Sequence, residues 1–144
     1  KLDLMQKPHP WQKSLYDFAK LVQHDPLFIF PGYINDVELK ALYSRAQLNI
    51  LVSYDEGFGF SFIEAGYLSC PSVLSDIPVF HETAGAAASY ANPSDARDIA
   101  QKMNTLFYDQ TLREKLSIEA FSQAQDFSPE RFKQAWNTVI NLQS

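Results

Sequence analysis

The sequence predicts an α/β fold, a Rossmann-like parallel sheet with helices on both faces. Three observations lead there. Short apolar runs alternate with amphipathic stretches at helical spacing, the order that builds parallel sheets. The runs are continuously apolar, as in strands buried on both sides. One strand-to-helix connection also carries two glycines around an aromatic, Gly57-Phe58-Gly59, at the edge of the sheet where such folds bind ligands.

The elements follow in order. Residues 11–22 place Trp11, Leu15, Phe18, Ala19 and Val22 at helical spacing. Leu27-Phe28-Ile29-Phe30 reads as a short strand, ended by the turn Pro31-Gly32-Tyr33. Asn35 reads as a helix N-cap with Glu38 as its capping-box partner. Leu39, Leu42, Tyr43 and Ala46 form that helix's expected buried stripe. Residues 48–52 are the next strand, leading through residues 53–59 into a helix over 60–69 that Cys70-Pro71 closes. Residues 72–75 are a strand, Asp76-Ile77-Pro78 turns into a short helix over 79–83, and residues 88–91 make a fourth strand before Asn92-Pro93. Ser94 or Asp95 caps a helix with Ile99, Met103 and Leu106 inward, and residues 111–123 form another. Ser128-Pro129 starts the last helix, whose apolar face is Phe132, Ala135, Trp136, Val139 and Ile140. Trp11 and Trp136 read as core.

Composition bounds the function. With 144 residues, 46% hydrophobic and 20% charged, the chain suits one globular domain or a large piece of one. A formal net charge of -5 lacks the basic footprint of a nucleic-acid binder. An anionic ligand must therefore be held by backbone amides and a few local basic groups. The single cysteine, Cys70, excludes an intrachain disulfide and fits a reduced, cytoplasmic setting. No apolar run approaches the roughly 20 residues of a membrane-spanning helix, and residues 1–10 are not a signal peptide. The chain opens at Lys1 rather than at a methionine, which suggests an excerpt of a longer polypeptide. There is no internal repeat.

The chemistry concentrates in Glu56-Gly57-Phe58-Gly59. Two glycines let the backbone approach a ligand closely. A helix beginning there offers unpaired amide N–H groups and the positive end of its dipole, a seat for a phosphate or diphosphate. The same residues also read as a plain tight turn. Glu64 is the one charged residue between Gly57 and Pro71, so it is expected to be buried and hence partnered. It can accept from both hydroxyls of a ribose, or pair with a structural arginine or backbone amides. Glu56, at the mouth of the loop, can accept from sugar hydroxyls or stand solvated.

The stretch from Glu56 to Ala65 resembles the E-x7-E motif of retaining glycosyltransferases of the GT-B fold, family 4. The likeness extends through Phe30-Pro31-Gly32-Tyr33-Ile34, residues 39–51, residues 71–78 and residues 87–95, and covers about residues 29–136. The resemblance implies that Glu64 holds the ribose and that Glu56 contacts the transferred sugar. It places the diphosphate on the amides of Phe58 and Gly59, within a donor-binding stretch from Gly57 through Phe60 to Ser61, and the base against Gly32 and Tyr33. It further implies retention of configuration without a divalent metal, which agrees with the lack of any His/Cys/Asp cluster at ligand spacing. The chain departs from the family at Gln47 (usually Asp), Ser61 (often Pro) and Ser69 (usually Gly). The family's donor domain also begins with two further strands, whose loops carry a basic Arg and Lys pair. Lys7, Lys13 and Lys20 do not match that pair.

The expected protein is thus residues 1–144 of a partial donor-binding domain, the C-terminal half of a GT-B fold. It uses no cofactor beyond a UDP- or GDP-linked sugar substrate. Its partners are an acceptor carbohydrate or lipid-linked glycan and an N-terminal acceptor domain outside this chain, without which it is inactive. That outside part would bring it to the inner face of the membrane. The rival reading is a non-catalytic nucleotide-sugar-binding or assembly module derived from such an enzyme. A nucleotide-sugar epimerase of the same architecture is a third. His81 is expected to be a surface or capping residue.

Overall fold

The computed structural model describes residues 13–141. Lys1, Lys7 and Trp11 lie outside the described residues. The elements are α1 (Lys13–Val22), α2 (Asp36–Arg45), β1 (Asn49–Leu51), α3 (Phe60–Tyr67), β2 (Ser72–Ser75), α4 (Pro78–Ala84), β3 (Ser89–Ala91), α5 (Ala96–Tyr108), α6 (Gln110–Gln125) and α7 (Pro129–Asn141). The chain divides into two compact units, Lys1–Leu39 and Lys40–Ser144.

In the first unit α1 buries Ala19 and Val22, and Phe18 meets Phe28 edge to face at 5.6 Å. The expected strand at residues 27–30 does not form. Asp25 takes its place as an organiser: its side chain accepts from the Leu27 N–H at 2.9 Å and its carbonyl from the Phe28 N–H at 3.0 Å. A strand needs a neighbour to complete its ladder, and no strand pairs with this segment among the described residues, so the local turn prevails. Leu27 and Ile29 are left exposed. The capping box forms as read. Asn35 Oδ1 accepts from the N–H groups of Val37 and Glu38, both at 3.0 Å, and Glu38 Oε2 accepts from the Asn35 N–H at 2.9 Å. The stripe behind it is less covered than expected. Leu39 and Tyr43 are half-buried, Leu42 and Ala46 exposed, because spacing marks an apolar face without supplying the element that covers it.

The second unit is built on a parallel three-stranded sheet in the order β1-β2-β3. Every residue of the central β2 is buried, whereas Ile50 in β1 stays 41% exposed, against the expectation of strands covered on both sides. Side chains alternate across a strand, and β2 divides the core accordingly. Leu74 faces one cluster with Phe62, Ile63, Phe80, Ala84, Ala120 and Ala124. Val73 faces the other, with Ala91, Leu106 and Leu116. Thus α3, α4 and the later part of α6 lie on one face, and α5 and the earlier part of α6 on the other.

Small residues set how closely the helices approach. A Cβ added at Gly66 would lie 2.8 Å from the Ala120 carbonyl oxygen and 3.1 Å from the Ala124 Cβ, so α3 crosses α6 almost backbone to backbone. Asp95 caps α5, accepting from the Arg97 and Asp98 N–H groups, and Asp109 both ends α5 and caps α6. The Arg113 guanidinium turns back to carbonyls in the last turn of α5, Leu106 (3.3 Å) and Phe107. The face of α7 is amphipathic as read, yet Phe132, Trp136, Val139 and Ile140 are all exposed. Trp136 is therefore not core, since no element among the described residues covers it.

The end of α3 is a Schellman motif. The Cys70 N–H bonds the Ala65 carbonyl (2.9 Å) and the Ser69 N–H bonds the Gly66 carbonyl (2.9 Å), with Ser69 at φ 55°. That position favours glycine. Burial pushes the Cys70 thiol, next along the chain, up to about 11, which leaves it a small buried hydrophobe rather than a nucleophile. Ser69→Gly should raise stability in urea unfolding by about 1 kcal/mol, the left-handed penalty less glycine's entropy cost. A fall in stability would contradict this account of the turn.

Candidate functional site

The site assembles at the carboxyl ends of β1 and β2. β1 ends at Leu51, paired with Leu74 of β2. Just past it the Ser53 N–H donates to the Ser75 Oγ at 2.7 Å, so a fully buried serine at the end of β2 pins the start of the loop. The Ser53 Oγ then donates to Glu56 Oε1 at 3.2 Å. Glu56 is half-buried, and its other oxygen has no partner among the described residues.

The turn that follows depends on Gly59. Its φ is 85°, and a Cβ there would lie 2.5 Å from Phe80 Cε1. Phe80, on α4, is fully buried. A side chain at Gly59 would be strained by the backbone and would also collide with the core. Gly57 differs, since a Cβ there would meet nothing within 4 Å. Between them Phe58 anchors the loop, with its ring 5.3 Å from Phe127 (edge on) and 4.9 Å from Phe60.

α3 starts on Gly59 without a side-chain cap. Its first internal bond runs from the Phe62 N–H to the Gly59 carbonyl at 2.9 Å. The N–H groups of Phe58, Gly59, Phe60 and Ser61 have no partner among the described residues. These are the orphan donors of a helix start, with the positive end of its dipole behind them.

Glu64 is exposed, contrary to the expectation of a buried carboxylate. The buried face of α3 is Phe62, Ile63, Ala65 and Gly66. Phe60, Glu64 and Tyr67 fall at the spacing of a second face and are all accessible. Glu64 is thus a free carboxylate one turn into the helix, and it makes no hydrogen bond or ion pair among the described residues. Ser61 contributes only its backbone. Its hydroxyl accepts from the Tyr43 phenol (3.3 Å) and donates to Asn49 Oδ1 (3.4 Å), while Asn49 Nδ2 donates to the Ser72 Oγ (3.2 Å). Gly32, at φ 71°, and Tyr33, 94% exposed, belong to the first unit.

A cleft of about 370 Å³ opens beside the turn. Tyr54, Asp55, Glu56 and Gly57 line it on the β1 side, and Ile77, Pro78, Val79 and Glu82 on the β2 side. A larger apolar groove of about 490 Å³, lined by Leu48, Met103 and Phe107 among others, lies at the opposite ends of the strands, away from the free amides. The smaller one is lined by Glu56 and Gly57 of the turn.

Sequence reasoning missed Ser53 and Ser75, which join at this edge, and Asn49, which ties to Ser72 at the other end of the strands, with Tyr43 reaching it through Ser61. Apart from the Ser53–Glu56 bond, these contacts run to partners far along the chain. His81 is exposed as expected, but its Nε2 pairs with Asp76 Oδ1 at 2.6 Å and its ring stacks on Tyr90 at 4.2 Å. The single Tyr90 O–H is shared between the carbonyls of Gly85 (2.7 Å) and Phe80 (3.1 Å), closing the end of α4. Burial, and then the negative charge of Asp76, push the Tyr90 phenol up to about 12. An aspartate five residues before a histidine was the only local signal for this cluster.

Fold and loop together define a Rossmann-like α/β domain with an anion-competent turn at the carboxyl edge of its sheet. The family profile described as "Glycosyl transferases group 1" matches residues 9–123, and the chain belongs to that family. It is 50% identical over 60 residues to the O-antigen chain mannosyltransferase RfbU of Salmonella typhimurium, covering 42% of this chain and 17% of the relative. It is 32% identical over 97 residues to O-antigen chain mannosyltransferase B of Escherichia coli, covering 67% and 26%. The chain therefore spans only a minor part of these curated relatives. Among solved structures, the sucrose-phosphate synthase of Thermosynechococcus elongatus superposes with a TM-score of 0.77 at 20% identity, over 97% of this chain and 37% of that one. The C-terminal domain of the group 1 glycosyl transferase LpcC from Francisella tularensis gives 0.66 at 24% identity, over 80% and 60%. The fold is GT-B-like.

Gly59→Ala should lower stability by about 2–4 kcal/mol in urea unfolding, combining the left-handed penalty with overpacking against Phe80. Gly57→Ala, with open space around it, should cost less than about 1 kcal/mol. Equal losses at the two glycines would contradict the stated role of Phe80.

Proposed function

We propose that this chain is the donor-binding, C-terminal domain of a retaining family 4 glycosyltransferase. It would transfer a sugar from a UDP- or GDP-linked donor to an acceptor hydroxyl. The observation that carries the reading is the α3 start: free amides on a glycine-built turn, with an available carboxylate just before it, Glu56, and another one turn beyond, Glu64.

In this reading the diphosphate sits on the amides between Phe58 and Ser61. These donors stabilise charge as it accumulates on the leaving group. Glu64, unpaired and exposed, accepts from the ribose hydroxyls. Glu56 accepts from hydroxyls of the transferred sugar and holds its anomeric carbon in place. The names of the bacterial relatives favour mannose as the sugar and a growing glycan as the acceptor. The acceptor site belongs to an N-terminal domain outside this chain, and without it residues 1–144 do not turn over donor. No divalent metal takes part, and the enzyme works in the cytoplasm at the inner face of the membrane. No helix among the described residues is long and apolar enough to cross a membrane.

Calorimetric titration of UDP, GDP and ADP into the longest natural form of the protein tests the reading. One diphosphate should bind, and Glu64→Ala should weaken it by about 1–3 kcal/mol, the worth of hydrogen bonds to a charged group. Absence of nucleotide binding would favour the assembly-module reading. Unchanged binding by Glu64→Ala would remove Glu64 from the ribose site.

A further inference from the structure

We propose that Ser53 is a positioning residue for Glu56, itself fixed by the buried Ser75. The inference rests on the reading of Glu56 as the carboxylate that faces the transferred sugar.

Ser75 is fully buried at the end of the central strand. A buried hydroxyl is costly unless it is partnered. Its partner is not in the sheet ladder but is the Ser53 N–H, at 2.7 Å, beyond the last residue of β1. The bond extends the β1–β2 junction past its last backbone pair, Leu51 with Leu74, and fixes the backbone of Ser53. From that fixed point the Ser53 hydroxyl spends its one proton on Glu56 Oε1, at 3.2 Å.

A glutamate on a loop has several rotamers open to it. Its neighbour Asp55, on the same cleft wall, tends to push it away. The serine bond selects one arrangement and leaves Oε2 without a partner among the described residues. A carboxylate held before substrate arrives loses less freedom at the moment of reaction. The diphosphate seat is built separately, on Gly59 and Phe80. Loss of Ser53 should therefore slow transfer without weakening nucleotide binding.

The test uses the full-length enzyme, GDP-mannose and UDP-glucose as donor probes, turnover of the donor as the rate, and calorimetry with GDP and UDP. Ser53→Ala should lower kcat roughly tenfold while the diphosphate Kd stays within about twofold of wild type. Ser53→Thr, which keeps the hydroxyl, should restore most of the rate. In a Glu56→Ala background Ser53→Ala should have almost no further effect, since the group it positions is gone. Equal losses in both backgrounds, or a parallel loss of nucleotide affinity, would overturn the proposal. A silent Ser53→Ala beside a slow Glu56→Ala would remove the positioning role and leave the reading of Glu56 intact. Full activity of Glu56→Ala would sink that reading, and the positioning role with it.

Discussion

A side chain at Gly59 would occupy the place where Phe80 already sits. That exclusion fixes the height of the turn over α4 and the left-handed backbone from which α3 begins. It thereby fixes where the free amides stand. The chain's net charge of -5 and the acids lining the cleft give no long-range attraction for a phosphate. What attraction exists is local, from donors and dipole within the first turn of one helix. Such a site works only if its backbone is held rigidly, and here the core itself holds it.

The central strand does the complementary work. β2 is apolar in the middle, at Val73 and Leu74, and polar at both ends, at Ser72 and Ser75, yet all four residues are buried. Each serine is satisfied from outside the strand, Ser72 by Asn49 and Ser75 by the Ser53 backbone. A buried hydroxyl left without such a partner would cost about 1–3 kcal/mol. The two hydroxyls therefore tie β1 and its loop to the sheet at opposite ends of one short strand. Glu56 is joined to the core by hydrogen bonds and Gly59 by packing, and the two carboxylates bracket the turn.

Much of this was legible in the sequence, and the exceptions share a cause. The Asn35–Glu38 box and the Asp95 cap are readable because capping is settled within a few residues. The glycine pair was visible as a turn that could seat an anion, but which glycine is indispensable depends on Phe80, some twenty residues away. Leu27–Phe30 has the composition of a strand and lacks a partner strand among the described residues. The apolar faces of α2 and α7 are real, but a sequence does not say what covers them. Glu64 is exposed although the helix around it is apolar overall, because only one face of α3, Phe62, Ile63, Ala65 and Gly66, is buried. Read by position, Phe60, Glu64 and Tyr67 share one side, and it is the accessible side of α3. Ser53 and Ser75 look like ordinary small polar residues until the fold brings them together.

The most direct test is a crystal structure of the full-length protein with GDP or UDP bound. The account predicts diphosphate oxygens within hydrogen-bond reach, about 2.7–3.2 Å, of the amides between Phe58 and Ser61, with the ribose hydroxyls on Glu64. A nucleotide bound elsewhere, with those amides still facing only water, would contradict it.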